Sequence, residues 1–177
     1  MAYERQNWVD GTTICNAERM NHIENGIYNN SQKELNIMEV RLSNDQPVIT
    51  DIPTRVAFDA IYFSRGNKLT LENNAIKIGA GVKAVRVDLT LWLENNTTNS
   101  YAAFYINKNG YDYTYNIHPF IPNASSWGFG SAFAYIDVEE GDIISANVRF
   151  SVASNGGRSN MVSAYINGSK LAVQVIE

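Results

Sequence analysis

The sequence predicts a mainly β protein: a jelly-roll sandwich head preceded by an N-terminal α-helix, which we expect to form a trimeric coiled coil. Three observations carry this prediction. An apolar seam with helical spacing lies within the first 43 residues, apolar and polar side chains alternate from residue 55 onward, and turn residues separate the alternating runs. Helices repeat every 3.6 residues and strands every two, so the change of period indicates a change of structure.

Size and composition limit the class of protein. The chain has 177 residues, of which 45% are apolar and 18% are charged, which is enough for a folded core. The net charge of -4 offers no basic surface for nucleic acid. No apolar run reaches the roughly 18 residues that cross a bilayer, and the N-terminus lacks the apolar core of a secretory signal. The single cysteine, Cys15, excludes an intrachain disulfide.

The helix is predicted over residues 17–43, with Asn16 as its N-cap. Apolar residues are three and four apart at each end of it, and an eight-residue gap in the middle is a coiled-coil stutter. Such a thin seam is marginal alone in water. We therefore expect sister chains to cover it, the alternative being a single helix packed on its own head. The predicted seam consists of Met20, Ile23, Ile27, Leu35, Met38 and Leu42.

The head is predicted over residues 55–177, after a linker over residues 44–54 in which two prolines stop the helix. Residues 85–93 and 144–152 alternate apolar and polar side chains, which is typical of antiparallel strands with one face in a core. Turn residues separate about eight to ten such runs, which favours a sandwich or jelly roll.

Signals for catalysis are thin. Glu139, Glu140 and Asp142 cluster in one predicted turn, and paired carboxylates can act on a glycosidic bond, but a solvated turn is the stronger interpretation. The sequence has no Gly-x-Ser-x-Gly elbow, no phosphate loop and no His/Cys metal cluster. We therefore expect a protein that is not an enzyme and that uses neither a cofactor nor a metal.

Aromatic residues are the main candidates for binding. Tyr111, Tyr113 and Tyr115 alternate on one predicted strand face, and Trp127 and Phe129 lie in a predicted glycine- and serine-rich loop. A tyrosine ring with its hydroxyl suits stacking on a sugar and hydrogen bonding to it. Aromatic residues are also enriched at subunit interfaces, which is the alternative role. The candidate ligand-binding residues are Tyr111, Tyr113, Trp127 and Phe129.

A run near the N-terminus has a characteristic order and spacing of residues. It contains Trp8, Asp10, Gly11, Thr13, Asn16, Ala17, Met20, Asn21, His22, Glu24, Gly26 and Ile27. In these residues the run resembles the start of tail and baseplate fibre proteins of phages that infect Gram-positive bacteria, with Cys15 where leucine is usual. In that family the segment joins the fibre to the virion. The resemblance thus implies that residues 1–16 attach to the virion through Trp8, Asp10, Gly11, Thr13 and Asn16.

The β half carries a second resemblance. Residues 138–144 (VEEGDII) precede a long predicted strand, and residues 170–176 form a closing strand. In these features it resembles the jelly-roll heads of the tumour necrosis factor and complement globular-head superfamily. Those heads assemble as compact trimers, so the resemblance implies a homotrimer.

Together these features predict a tail or head fibre or receptor-binding protein of a phage virion, made in the cytoplasm of the bacterial host. The homotrimer would mount on a tail, baseplate or capsid protein and bind a host cell-wall saccharide, with no nucleic acid and no membrane insertion. Residues 107–115 and 123–129 are expected at the end of the head that points away from the stalk, where three weak sites per trimer give avidity. The alternatives are a structural decoration or spacer protein without a ligand and, from another class, a glycan-cleaving depolymerase.

Overall fold

Two antiparallel β-sheets form the head. The computed structural model describes residues 20–23, 25, 35–48, 52–95, 100–119, 126–152, 159–161 and 168–176. Sheet A contains β1 (Ile37–Arg41), β2 (Gln46–Val48), β4 (Ala60–Arg65), β7 (Ala84–Asn95), β10 (Ser126–Asp137), β12 (Ser159–Met161) and β13 (Lys170–Val175). Sheet B contains β3 (Thr54–Arg55), β5 (Leu69–Glu72), β6 (Ala75–Ile78), β8 (Ser100–Lys108), β9 (Tyr111–Pro119) and β11 (Ile143–Val152). The prediction of a mainly β head is confirmed.

Strand order follows from a few long pairings. Sheet A runs β2-β12-β7-β13-β1-β4, and β10 pairs along the other edge of β7. Sheet B runs β5-β6-β11-β8-β9, and β3 pairs with β11 beyond the short β6. The first and last strands of the head, β1 and β13, are therefore neighbours in the middle of sheet A.

The core lies between the sheets, and the predicted alternation of residues 85–93 supplies much of it. Val85, Val87, Leu89, Leu91 and Leu93 of β7 are all buried. Burying one such side chain contributes about 1.5–3 kcal/mol relative to leaving it in water. Opposite them, sheet B buries Phe104 and Ile106 of β8 and Ile144, Ala146 and Val148 of β11.

The prediction that the helix and its seam extend to residue 43 is wrong. Residues Ile37–Arg41 form strand β1, and the side chains of Met38 and Leu42 are only 2% and 5% exposed in the core of the head. Both were predicted as seam residues because they are four apart. A spacing of four residues is about one helical turn but also two repeats of a strand. Val40, midway between Met38 and Leu42, is also buried, which shows that the period is two.

The predicted linker is also part of the head. Within residues 44–54 lie β2, with Val48 buried in the core, and the start of β3 at Thr54. The head accordingly forms one compact unit from Leu35, which is exposed just before β1. Prolines did exclude a helix here, but Pro47 lies within β2, a short outer strand of sheet A, where the missing N–H is tolerated.

Little of the predicted stalk lies within the described residues. Residues 20–23 and residue 25 have helical backbone geometry, with Met20 exposed and Ile23 half-buried. The coiled coil stays a prediction. The seam residue Ile27 and the attachment residues Trp8, Asp10, Gly11, Thr13 and Asn16 lie outside the described residues.

Asn36 ties together the end of the head where the chain enters. Its backbone oxygen accepts a hydrogen bond from Val175 N at 2.9 Å. Its side-chain Oδ1 accepts from Asn67 N at 3.0 Å and from Lys68 N at 3.1 Å. The turn between β4 and β5 can reach this oxygen because Gly66 adopts φ of 82° and has no side chain. A Cβ atom at Gly66 would lie 2.1 Å from Asn36 Oδ1.

Replacing Gly66 by Ala should therefore lower the free energy of unfolding by about 2–5 kcal/mol, the sum of a strained φ and a steric clash. Gly110→Ala is the matched control. Gly110 has a similar φ of 84°, but no atom lies within 4 Å of where its Cβ would be, so only the backbone strain of about 1–2 kcal/mol applies. Urea denaturation of both variants measures the difference. Equal losses would show that the Asn36 contact contributes nothing.

Candidate functional site

Strand β10 exposes its aromatic side chains on the outside of the sandwich and buries Ile136 and two alanines on the inside. Ala132 and Ala134 face the core and are buried, whereas Phe129, Phe133 and Tyr135 are 66%, 68% and 58% exposed. A strand with one side in a core normally buries its large apolar residues and exposes its polar ones. The outer side of β10 is therefore an exposed aromatic patch, and such patches often mark contact sites.

Other aromatic residues extend this surface across sheet A. Trp92 of β7 is paired with Phe129, and their rings stack with centroids 5.8 Å apart. Tyr62 and Phe63 of β4 are exposed at the opposite edge of the sheet. We call these residues the aromatic face: Tyr62, Phe63, Trp92, Phe129, Phe133 and Tyr135.

Charged pairs occupy the middle of sheet A between the two aromatic edges. Arg86 binds Asp88 at 2.8 Å on β7, and Arg41 binds Glu39 at 2.6 Å on β1. The Arg41 guanidinium also lies 3.4 Å from the centre of the Tyr62 ring. The Arg86–Asp88 pair is exposed and Arg41–Glu39 is half-buried, and exposed ion pairs stabilise a fold little. Here they hold the charges in fixed positions, which favours specificity in a contact more than its strength.

The predicted tyrosine row on β9 is broken by a bulge. The pairing of β9 with β8 shifts by one residue at Tyr113, which becomes an extra residue without a cross-strand partner. Tyr113 Oη donates to the backbone oxygen of Tyr135 at 3.2 Å. Tyr115 instead packs against Tyr105 of β8, with ring centroids 5.7 Å apart. Tyr113 and Tyr115 thus contact different neighbours and do not form a single row with Tyr111.

The four candidate ligand residues do not form one site. Trp127 and Phe129 lie near the start of strand β10, not in a loop. Tyr111 is at the other end of that strand, since its neighbour Lys108 donates to the backbone oxygen of Asp137 at 2.8 Å. Ten residues separate Trp127 from Asp137, or about 30 Å along a strand. The Trp127 side chain is outside the described residues.

The expectation that residues 107–115 and 123–129 share the far end of the head is therefore wrong. Asp137 is paired with Ala84, and Ala84 O accepts from Ile176 N at 3.0 Å. Ile176 follows the residue that binds Asn36, so the hairpin after β8 lies at the end where the chain enters. Because consecutive antiparallel strands alternate in direction, the number of strands between two loops decides whether the loops lie at the same end of the head. The bounds of β10 could not be placed from the sequence closely enough to decide this.

The predicted turn of three carboxylates is a structural junction. Asp142 accepts hydrogen bonds from Asn109 Nδ2 at 2.7 Å and Glu139 N at 2.9 Å, and Lys108 Nζ lies 2.9 Å away. Asn109 Oδ1 in turn accepts from Ile143 N at 2.8 Å. Burial raises the pKa of Asp142, but the hydrogen bonds from Lys108, Asn109 and Glu139 outweigh burial and hold it below its ordinary value. This carboxylate is used to fix the fold.

Comparison with known proteins shows the fold. No protein-family model matches the chain, and no curated protein matches it. Among solved structures it is similar to murine APRIL, with a TM-score of 0.58 and 12% identity over 80% of this chain and 99% of that chain. It is also similar to Eiger TNF from S. frugiperda, with a TM-score of 0.50 and 10% identity over 82% of this chain and 94% of that one.

The head shares the TNF-like jelly-roll fold. The fold expected from residues 138–144 and 170–176 is thus confirmed for the head. In the described ranges no group of three or more His, Cys, Asp or Glu side chains could hold a metal ion. Nor does any helix in that part of the chain combine the length and apolar character needed to span a membrane.

Among the residues of the candidate surfaces, sequence reasoning missed Phe133 and Tyr135 entirely. The signal was present in the run GFGSAFAYID at residues 128–137, where small residues alternate with aromatic ones. Such a run predicts that the side with the small residues and Ile136 faces the core and that the aromatic side is exposed and available for contact.

Replacing Asp142 by Asn should lower the free energy of unfolding near pH 7 by about 1–3 kcal/mol, because hydrogen bonds to a charge are weakened. The pKa of Asp142 is lowered in the folded state. Its contribution is therefore complete above the unfolded aspartate pKa of about 4 and is lost as the pH falls through the folded pKa. The gap between wild type and D142N should narrow in acid.

Urea denaturation at several pH values and one protein concentration measures this gap. Glu140→Gln is the control, because Glu140 is exposed in the same turn and should change stability little. A gap that stays constant with pH, or an equal loss in E140Q, would contradict the role assigned to the Asp142 charge.

Proposed function

We propose that the protein is a fibre or receptor-binding protein of a phage virion, a homotrimer that mounts by its N-terminus and binds a host cell-surface saccharide through its head. The observation that carries this proposal is the aromatic face. Five of its residues, Tyr62, Phe63, Phe129, Phe133 and Tyr135, are exposed in a single head. Monomeric proteins rarely leave large apolar patches in water, so association of heads would cover them.

The position of the aromatic residues suits a ring of copies. They lie at two opposite edges of sheet A, on β4 and on β10. In a head-to-tail contact, one edge of a copy meets a different surface of the next, and the contacts close when the rotation completes a circle. Closure after three copies would give the compact trimer that the head resemblance implies.

The fibre assignment is supported by the run from Trp8 to Ile27, whose order and spacing resemble virion-attachment segments. We favour receptor binding over a spacer role because sheet B, away from the aromatic face, has an open cavity lined by polar side chains. Three sites on one trimer and many trimers on a virion would turn weak binding into firm adsorption. Sedimentation of the trimer with purified host cell walls tests this. Strain-dependent binding is expected of a receptor binder and none of a spacer, while release of reducing ends would point to a depolymerase.

Replacing Phe133 by Asp should separate the trimer into monomers. The side chain is 68% exposed in one head, so the change should leave the fold intact, whereas a charge in a desolvated contact is strongly unfavourable. Light scattering should give three chains for the wild type and one for F133D, with unchanged circular dichroism. Tyr111→Asp is the control, because Tyr111 is 81% exposed outside the aromatic face. A monomeric wild type at micromolar concentration would refute the assembly.

Deleting residues 1–16 should abolish incorporation into virions without changing the melting temperature of the head, because the described core of the head begins after Leu35. The measurement compares virions assembled with full-length and truncated protein, and thermal melts of both proteins. Incorporation of the truncated protein, or a much lower melting temperature, would argue against attachment through this segment.

A further inference from the structure

The side of sheet B that faces away from the core holds an open cavity of about 600 Å³. Its floor comes from β11, whose Ile144, Ala146 and Val148 point into the core and whose alternate residues therefore point outward. Cavities of this size are typical of small-molecule sites. The polar side chains that line it are Arg55, Asn107, Asn109, Ser145 and Asn147.

Asn107, in the wall of this cavity, carries a buried acceptor. The residue is only 1% exposed, and its Nδ2 donates to Asp112 Oδ1. Because a carboxylate only accepts hydrogen bonds, the amide nitrogen must face Asp112 and Oδ1 must point elsewhere. Among the described residues Oδ1 has no hydrogen-bond partner. Buried polar atoms are nearly always paired. This oxygen is closed to solvent, so a ligand could reach it only if the Asn107 side chain shifted.

The walls of the cavity are held in place before any ligand arrives. Asn109 is fixed on both sides, since its Oδ1 accepts from Ile143 N and its Nδ2 donates to Asp142. Arg55 donates from Nη2 to the backbone oxygen of Asn73 at 3.1 Å. A site whose polar groups are already positioned loses less entropy on binding.

An aromatic platform lies beside the cavity. Tyr105 is the direct cross-strand neighbour of Asn147, and it packs against Tyr115. Tyr115 is exposed, so its ring is available to a ligand that extends out of the cavity. Uncharged amides and a hydroxyl beside tyrosine rings combine donors and acceptors for hydroxyl groups with an apolar surface for a sugar ring.

We infer that this cavity is a saccharide site: a hexose-sized ring enters the cavity, hydrogen-bonds to Asn147, and turns its apolar side to the Tyr105–Tyr115 pair. Only the class of ligand, a saccharide, rests on the proposed function. The site lies on sheet B, whereas the aromatic face lies on sheet A, so both could be occupied in one assembly. It differs from the four aromatic residues that the sequence suggested.

Saturation-transfer NMR on the full chain tests the site, with glucose, galactose, rhamnose and N-acetylglucosamine as separate probes. At least one should receive saturation from the protein. Asn147→Ala and Tyr115→Ala should each weaken that binding about five- to tenfold, as expected for the loss of one or two hydrogen bonds or a stacked ring. Asn44→Ala, an exposed asparagine in the loop after β1, is the matched control and should bind as wild type does.

Neither test variant removes a core residue, and thermal melts of each confirm folding before binding is compared. Absence of saturation transfer to all four sugars, or wild-type affinity in both N147A and Y115A, overturns the site. Failure of the site is distinct from failure of the proposed function. If both variants sediment with host cell walls as wild type does, the fibre function stands and the cavity is not its site. If the sugar binds here but the protein never enters virions, the site stands and the fibre function does not.

Discussion

The carboxylate of Asp142 joins the ends of β8 and β11 in sheet B, at the end of the head where the chain enters. It binds Lys108 and Asn109 at the end of β8 and the backbone of Glu139 in its own turn. Through Asn109 it also fixes the first residue of β11. Because the Asn109–Gly110 hairpin forms one wall of the cavity, the position of that wall depends on this charge. The acidic turn, which in isolation resembles a pair of catalytic carboxylates, uses the charge of Asp142 to hold three segments together, while Glu139 and Glu140 are exposed.

The two outer surfaces of the sandwich differ in chemistry. On sheet A, β10 exposes Phe133 and Tyr135 while it buries alanines, which gives a surface suited to another protein surface of similar character. On sheet B, the residues of β11 that line the cavity include Ser145 and Asn147, whose polar side chains suit a hydroxylated ligand, and β9 exposes Tyr115 and Ile117. The likeness to APRIL and Eiger TNF concerns the framework on which these surfaces are built. The proposed assembly would use the first surface, and the proposed saccharide site lies on the second.

The sequence was sufficient for the fold class because strand alternation over residues 85–93 and 144–152 is long and regular. It misled at Met38 and Leu42, since a spacing of four satisfies both a helix and a strand, and it misled at Tyr113, because a bulge leaves no mark in the spacing of tyrosines. The polar cavity could not be predicted from the sequence for a different reason. Asn107, Ser145 and Arg55 come from three strands. That Asn107 Oδ1 has no partner among the described residues depends on the position of Asp112, which accepts the hydrogen bond from the amide nitrogen.

The position of β1 has a mechanical consequence. The strand that leads into the head is not at a sheet edge but lies between β13 and β4, with ladders of backbone hydrogen bonds on both sides. A tensile load applied along the chain at Leu35 would run parallel to this strand and perpendicular to those bonds. All of these hydrogen bonds would then be loaded at once, in shear. In an edge strand pulled away from its sheet, by contrast, the hydrogen bonds break one after another. A head tethered through this strand is arranged to resist drag.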